Sequence, residues 1–89
     1  MDVETRDKVV QNIRQLMADF ASKLPSENIT DAQDLIEHGE WGEAFDLLCT
    51  QVYEYELAVS QEQYALIDQT GGLMGLESTG WDYLRELVA

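Results

Sequence analysis

The sequence predicts an all-α protein, a compact bundle of four to five helices forming one domain over residues 1–89. Three observations predict it. Apolar residues recur at spacings of three and four in every long segment. Helix stop signals at Pro25, His38-Gly39 and Gly71-Gly72 separate those segments. No segment alternates apolar and polar residues long enough for a convincing strand; Val52 to Val59 comes closest, and its first half reads as the end of a helix. A chain of 89 residues has room for a single core, and a hydrophobic content of 45%, with two Trp, four Tyr and two Phe, is enough to fill one.

The first helix is expected over residues 5–24. Val9, Ile13, Leu16, Met17, Phe20 and Leu24 share one face, Thr5 is placed to cap it, and Pro25 stops it. The second runs from about Ser26 to His38, with Gly39 in the left-handed position past its end. Its inner face is Ile29, Ala32 and Ile36, with Leu35 at the edge. The third, about Trp41 to Tyr55, gathers Trp41, Ala44, Phe45, Leu48, Cys49, Val52 and Tyr55 on one side, with Glu43, Asp46, Thr50 and Glu54 opposite. The short connection at Gly39-Glu40 makes the second and third helices an antiparallel hairpin. A fourth helix starts after Ser60, where Ser60-Gln61-Glu62-Gln63 fits the S-x-x-Q capping box, and ends at Gly71-Gly72. Trp81, Leu84 and Val88 are spaced for a fifth, short helix over Thr79 to Ala89. The core expected from these faces is Ile13, Leu16, Phe20, Ile36, Trp41, Phe45, Leu48 and Val52.

Charge is the strongest compositional signal. Five basic residues stand against 18 acidic ones, for a net charge of −13. Residues 1–23 are neutral in sum, because Arg6, Lys8, Arg14 and Lys23 match Asp2, Glu4, Asp7 and Asp19. Residues 24–84 contain thirteen carboxylates and neither Lys nor Arg. Such a surface repels nucleic acid and anionic lipid and steers basic partners toward itself. Plain solubility is the simpler use of an acidic surface. Against that, like charges three or four residues apart each destabilise a helix by about 0.2–0.5 kcal/mol, a cost natural helices usually relieve with a few Lys. A uniform sign over 61 residues therefore points to a basic partner that relieves it. The expected contact residues are the outward carboxylates Asp31, Asp34, Glu43, Asp46 and Glu54, with Tyr53 as an apolar anchor beside them.

Catalytic and metal chemistry find little purchase. His38, the one histidine, has no nucleophile signature beside it and sits where it meets the negative end of a helix dipole. Cys49 lies on an apolar face, far from any cation that could make it a thiolate. The carboxylates lack the alternating spacing and glycine bend of a calcium loop, and the chain has too few Cys and His for zinc. The stretch Gly71-Gly72-Leu73-Met74-Gly75-Leu76 lacks the Lys and Ser or Thr of a phosphate loop. The expectation is a protein that is not an enzyme and carries no metal, cofactor or small-molecule substrate. The start, Met1-Asp2-Val3-Glu4-Thr5-Arg6, has no apolar run behind a basic cluster, no stretch approaches the roughly 18 apolar residues of a membrane span, and a single cysteine allows no internal disulfide. The cytoplasm is the expected location.

The string His38-Gly39-Glu40-Trp41-Gly42-Glu43-Ala44-Phe45-Asp46-Leu47-Leu48-Cys49, continued by Gln51-Val52-Tyr53-Glu54-Tyr55, resembles small immunity proteins of bacterial polymorphic-toxin and contact-dependent growth inhibition systems. The MafI-type group is the nearest in kind. With Ser60, Tyr64, Ile67 and Met74-Gly75-Leu76, the resemblance covers about residues 24–76. It implies a cytoplasmic protein that binds and neutralises a toxin domain delivered by neighbouring cells, many such toxins being nucleases. Together with the charge, the expectation is one-to-one binding to a basic nuclease, in the first instance an RNase, with its active site occluded. The contact residues named above rest on charge alone, not on the resemblance. The alternative from a different class is an acidic adaptor or nucleic-acid mimic bound to a basic housekeeping protein.

Overall fold

In the computed structural model, which describes Met1–Ala89, four α-helices and three short 3-10 turns follow one another without a strand. Asp2, rather than Thr5, starts the first helix. Its side chain accepts the Thr5 backbone N–H at 2.7 Å, and α1 then runs over Val3–Phe20. The same bond holds the Asp2 carboxyl below its ordinary range. The helical stretch expected to reach Leu24 stops earlier. Ala21–Lys23 tighten into a 3-10 turn, and Leu24 is extended, as the ring of a following proline requires.

The hairpin forms as the sequence indicates. Helix α2 (Ser26–Glu37) and helix α3 (Trp41–Glu54) are joined by His38-Gly39-Glu40. Their antiparallel register is visible where Asn28 Nδ2, at the start of α2, donates to Gln51 Oε1, near the end of α3, at 3.0 Å. Gly39 (φ +75) turns the chain while Glu40 N–H bonds back to the Leu35 carbonyl at 2.8 Å. Helix α4 (Gln61–Leu73) carries the anticipated capping box. The Gln63 N–H donates to Ser60 Oγ at 3.0 Å, and the Ser60 N–H donates to Gln63 Oε1 at 2.8 Å. It does not end at the glycine pair; it runs through both glycines and is capped by Gly75 (φ +72).

The third helix ends with the same bonding pattern around a residue unsuited to it. Leu57 N–H reaches the Val52 carbonyl at 3.1 Å, and Glu56, at φ +51, occupies the left-handed place that glycine holds after α2 and α4. An L side chain there costs roughly 1–2 kcal/mol, and a carboxylate faces the negative end of the helix besides. Glu56→Gly is therefore expected to raise the unfolding free energy by about 1 kcal/mol in urea denaturation. Glu56→Ala, which removes the charge but keeps Cβ, should recover a much smaller part.

Helix α1 packs on α3 and α4, α2 packs on α3, and the C-terminal tail closes the remaining side of α3 and α4. One core of 17 buried residues runs through all of them. Seven of the eight expected core positions are among those 17; Trp41 is half-buried against them. Ile29 is likewise half-buried. Tyr55, placed on the inner side by spacing, is 50% exposed, because α3 stops at Glu54 and the helical period no longer applies beyond it.

The tail corrects the sequence reading most. Instead of a fifth α-helix it forms two 3-10 turns, Ser78–Gly80 and Asp82–Leu87, with Trp81 between them. Trp81 and Leu84 are fully buried. Trp81 Nε1 donates to Asp68 Oδ1 at 3.0 Å, and its ring meets Phe45 edge-on with centroids 5.7 Å apart. The indole lies directly over Gly71 on α4, where a β-carbon would collide with it. Val59 pairs with Val88 in an isolated parallel bridge, and Arg85 Nε donates to the Tyr64 hydroxyl at 3.0 Å. These contacts fix the tail against α3 and α4.

Candidate functional site

The antiparallel hairpin decides which carboxylates become neighbours. Asp31 and Asp34 are one turn apart on the outer side of α2, and Glu43 and Asp46 are one turn apart on α3. Between the two helices runs an open groove lined by Asp31, Asp34, His38, Glu40 and Glu43, with Leu35 and Leu47 half-buried at its floor. It continues along α3 past Asp46 and Thr50, which share the Leu35 and Leu47 floor. From Asp46 and Thr50 it opens into a further recess between α3 and the tail, walled by Tyr53, Glu54, Thr79, Gly80 and Tyr83. The six expected contact residues, Asp31, Asp34, Glu43, Asp46, Tyr53 and Glu54, all line this continuous surface.

Its electrostatics are one-sided. Six carboxylates border it, counting Glu40, and no Lys or Arg does. The one ion pair in the molecule, Arg6–Asp7 at 3.2 Å, is on α1. Arg85, the single cation after Lys23, is held by Tyr64, with its guanidinium 5.7 Å from the ring centroid. The carboxylates of the groove therefore face water with no internal counter-charge.

The aromatic end is ordered. Tyr53 and Tyr83 meet at 80° with centroids 4.9 Å apart, and the Tyr53 hydroxyl donates to Glu86 Oε2 at 3.2 Å. The charge of Glu86 pushes the Tyr53 phenol above its ordinary value, and burial does the same for Tyr83. Both remain neutral, amphipathic rings at neutral pH. Sequence reasoning missed Tyr83, Thr79 and Gly80, because their place in the recess depends on a tail that docks through Trp81.

The two residues weighed for reactivity have structural partners. His38 Nδ1 is 2.7 Å from the Asp34 carbonyl oxygen, where it closes the end of α2. Cys49 is buried, and burial, with Asp46 nearby, pushes its thiol up to about 12. What the surface offers is a carboxylate rim above an apolar floor, an arrangement that receives cationic and amphipathic side chains. No helix is long and apolar enough to cross a membrane. Comparison with protein-family models, curated proteins and solved structures gives no match to this chain.

Proposed function

We propose that this protein is an immunity protein, acting in the cytoplasm and without catalysis, that binds a basic toxin domain one to one and neutralises it. The observation that carries the reading is the continuous groove across α2, α3 and the tail, with six carboxylates and no cation along it. A nuclease must attract phosphates, so its active-site cleft is basic. A −13 protein is steered to such a cleft, and docking this face against it excludes the substrate. The resemblance of His38 to Tyr55 to MafI-type immunity proteins supports the same reading. A buried single thiol and the lack of a membrane-crossing helix fit a cytoplasmic site of action.

The test is whether a toxin domain is encoded directly upstream, as this reading requires, and whether the protein rescues cells that express it, paired with association kinetics on the purified proteins. Asp34→Lys with Glu43→Lys should slow association by about tenfold or more at low salt, because long-range steering scales with the charge presented. The effect should shrink as salt shortens the screening length toward about 8 Å. Reversals at Glu4 and Asp7, on the neutral α1, should change the rate far less. Full protection by the groove variant, with an association rate indifferent to salt, would remove the electrostatic basis of this reading.

A further inference from the structure

We propose that the recess where α3 meets the C-terminal tail is a seat for an arginine side chain of the protein partner. The inference rests on reading the groove as a docking surface for a basic protein, and it adds a preference between the two basic residues. Along the α2–α3 part of the groove the features are carboxylates over Leu35 and Leu47, with no aromatic face for a guanidinium to lie against. The recess differs. Asp46 stands at its inner end and Glu54 at its outer end, two helical turns apart on one face of α3, so a carboxylate is within reach of a cation entering from either side. Between them the walls are aromatic. Tyr53, 40% exposed, and Tyr83 meet at right angles and form a corner instead of a closed stack.

A planar, weakly hydrated guanidinium can lie against an aromatic face while its N–H groups fork toward a carboxylate. A compact, strongly hydrated ammonium gives up more hydration to enter such a corner. The chain already uses this chemistry once, where Arg85 lies over the Tyr64 ring. That contact occupies Arg85, and no other cation of the chain lines the recess, which leaves the seat for a residue of another protein. The two rings are positioned independently of any partner, Tyr53 by its bond to Glu86 and Tyr83 by its edge contact with Tyr53. The seat therefore exists before the partner arrives.

The experiment is titration of the full-length protein, 15N-labelled, with two capped hexapeptides, one of arginine and one of lysine, at the same ionic strength. The arginine peptide should bind about fivefold more tightly, the preference expected of a partly exposed cation–π contact. Its amide shifts should concentrate at Thr50, Tyr53, Glu54, Thr79, Gly80 and Tyr83. Tyr53→Leu, a change at an exposed position that spares the core, should reduce the arginine peptide to the affinity of the lysine peptide. Equal affinities, shifts spread evenly over Asp31, Asp34 and Glu43, or an unchanged preference in Tyr53→Leu would each overturn the seat. An arginine preference at the recess in a protein that fails to protect cells would leave the seat standing and remove the immunity reading. Protection without the preference would do the reverse.

Discussion

Truncating Phe45 to alanine is expected to cost about 3–5 kcal/mol, a large part of the roughly 5–15 kcal/mol that holds a small domain together. Phe45 is 2% exposed in the second turn of α3, and its ring is an edge-to-face partner of Trp81. Removing the ring loses its transfer free energy, leaves a cavity among helices that cannot all collapse into it, and withdraws the wall against which the tail packs. Urea denaturation followed by far-ultraviolet circular dichroism measures the loss. Phe45→Leu, which keeps most of the volume, should cost less than half as much. A Phe45→Ala protein within about 1 kcal/mol of the parent would mean that the core is not organised around this ring.

The second large effect reverses an ordinary expectation. In the interior of a helix, glycine to alanine normally gains up to about 1 kcal/mol. Gly71→Ala should instead cost about 2–3 kcal/mol, because the new methyl would occupy the place of the Trp81 indole. The adjacent Gly72 is the internal control. It is exposed, an added β-carbon meets nothing within 4 Å, and Gly72→Ala should gain about 0.5–1 kcal/mol. Opposite signs at neighbouring positions of one helix are the signature to look for in paired denaturation curves. Displacing Trp81 also carries Thr79, Gly80 and Tyr83 away from α3, so Gly71→Ala should weaken partner binding even where the helices survive. Two stabilised variants would place the tail elsewhere.

The same pair of glycines shows where sequence reasoning ends. Two consecutive glycines are a stop signal on local grounds, and α4 runs through them because a distant tryptophan needs the space that the first leaves open. Nothing within a window of a few residues around Gly71 reports Trp81. The periodicity of α1, α2 and α3, in contrast, is a local property, and the faces bearing Ile13, Leu16, Phe20, Ile36, Phe45 and Leu48 were legible from spacing. The acidic half of the site was legible for the same reason: helical spacing places Asp31 with Asp34 and Glu43 with Asp46, and a three-residue connection brings the two pairs together. The aromatic half was only partly so. Tyr53 stood out as an exposed aromatic beside carboxylates, whereas Tyr83 enters the recess through a 3-10 turn whose packing on α3 no short-range pattern encodes. Thr5 was passed over as a cap because Asp2 offers a better acceptor one turn earlier. Tyr55 is exposed because α3 ends at Glu54, one residue before the spacing would have placed it inside.

The 3-10 turn at Ala21–Lys23 gives the molecule a chemical seam. Lys23 is exposed there, and it is the sole basic residue between Arg14 and Arg85. A trypsin-like protease that cuts at this turn parts the neutral first helix from the acidic remainder in a single event. The stretch that follows, residues 24–85, then persists as one fragment whether folded or unfolded, since it offers such an enzyme no internal site. Survival of that fragment is a property of its composition. Its folding is reported instead by a protease that cuts after glutamate, for which Glu37, Glu40, Glu43 and Glu54 are sites spread over the end of α2, the connection and α3.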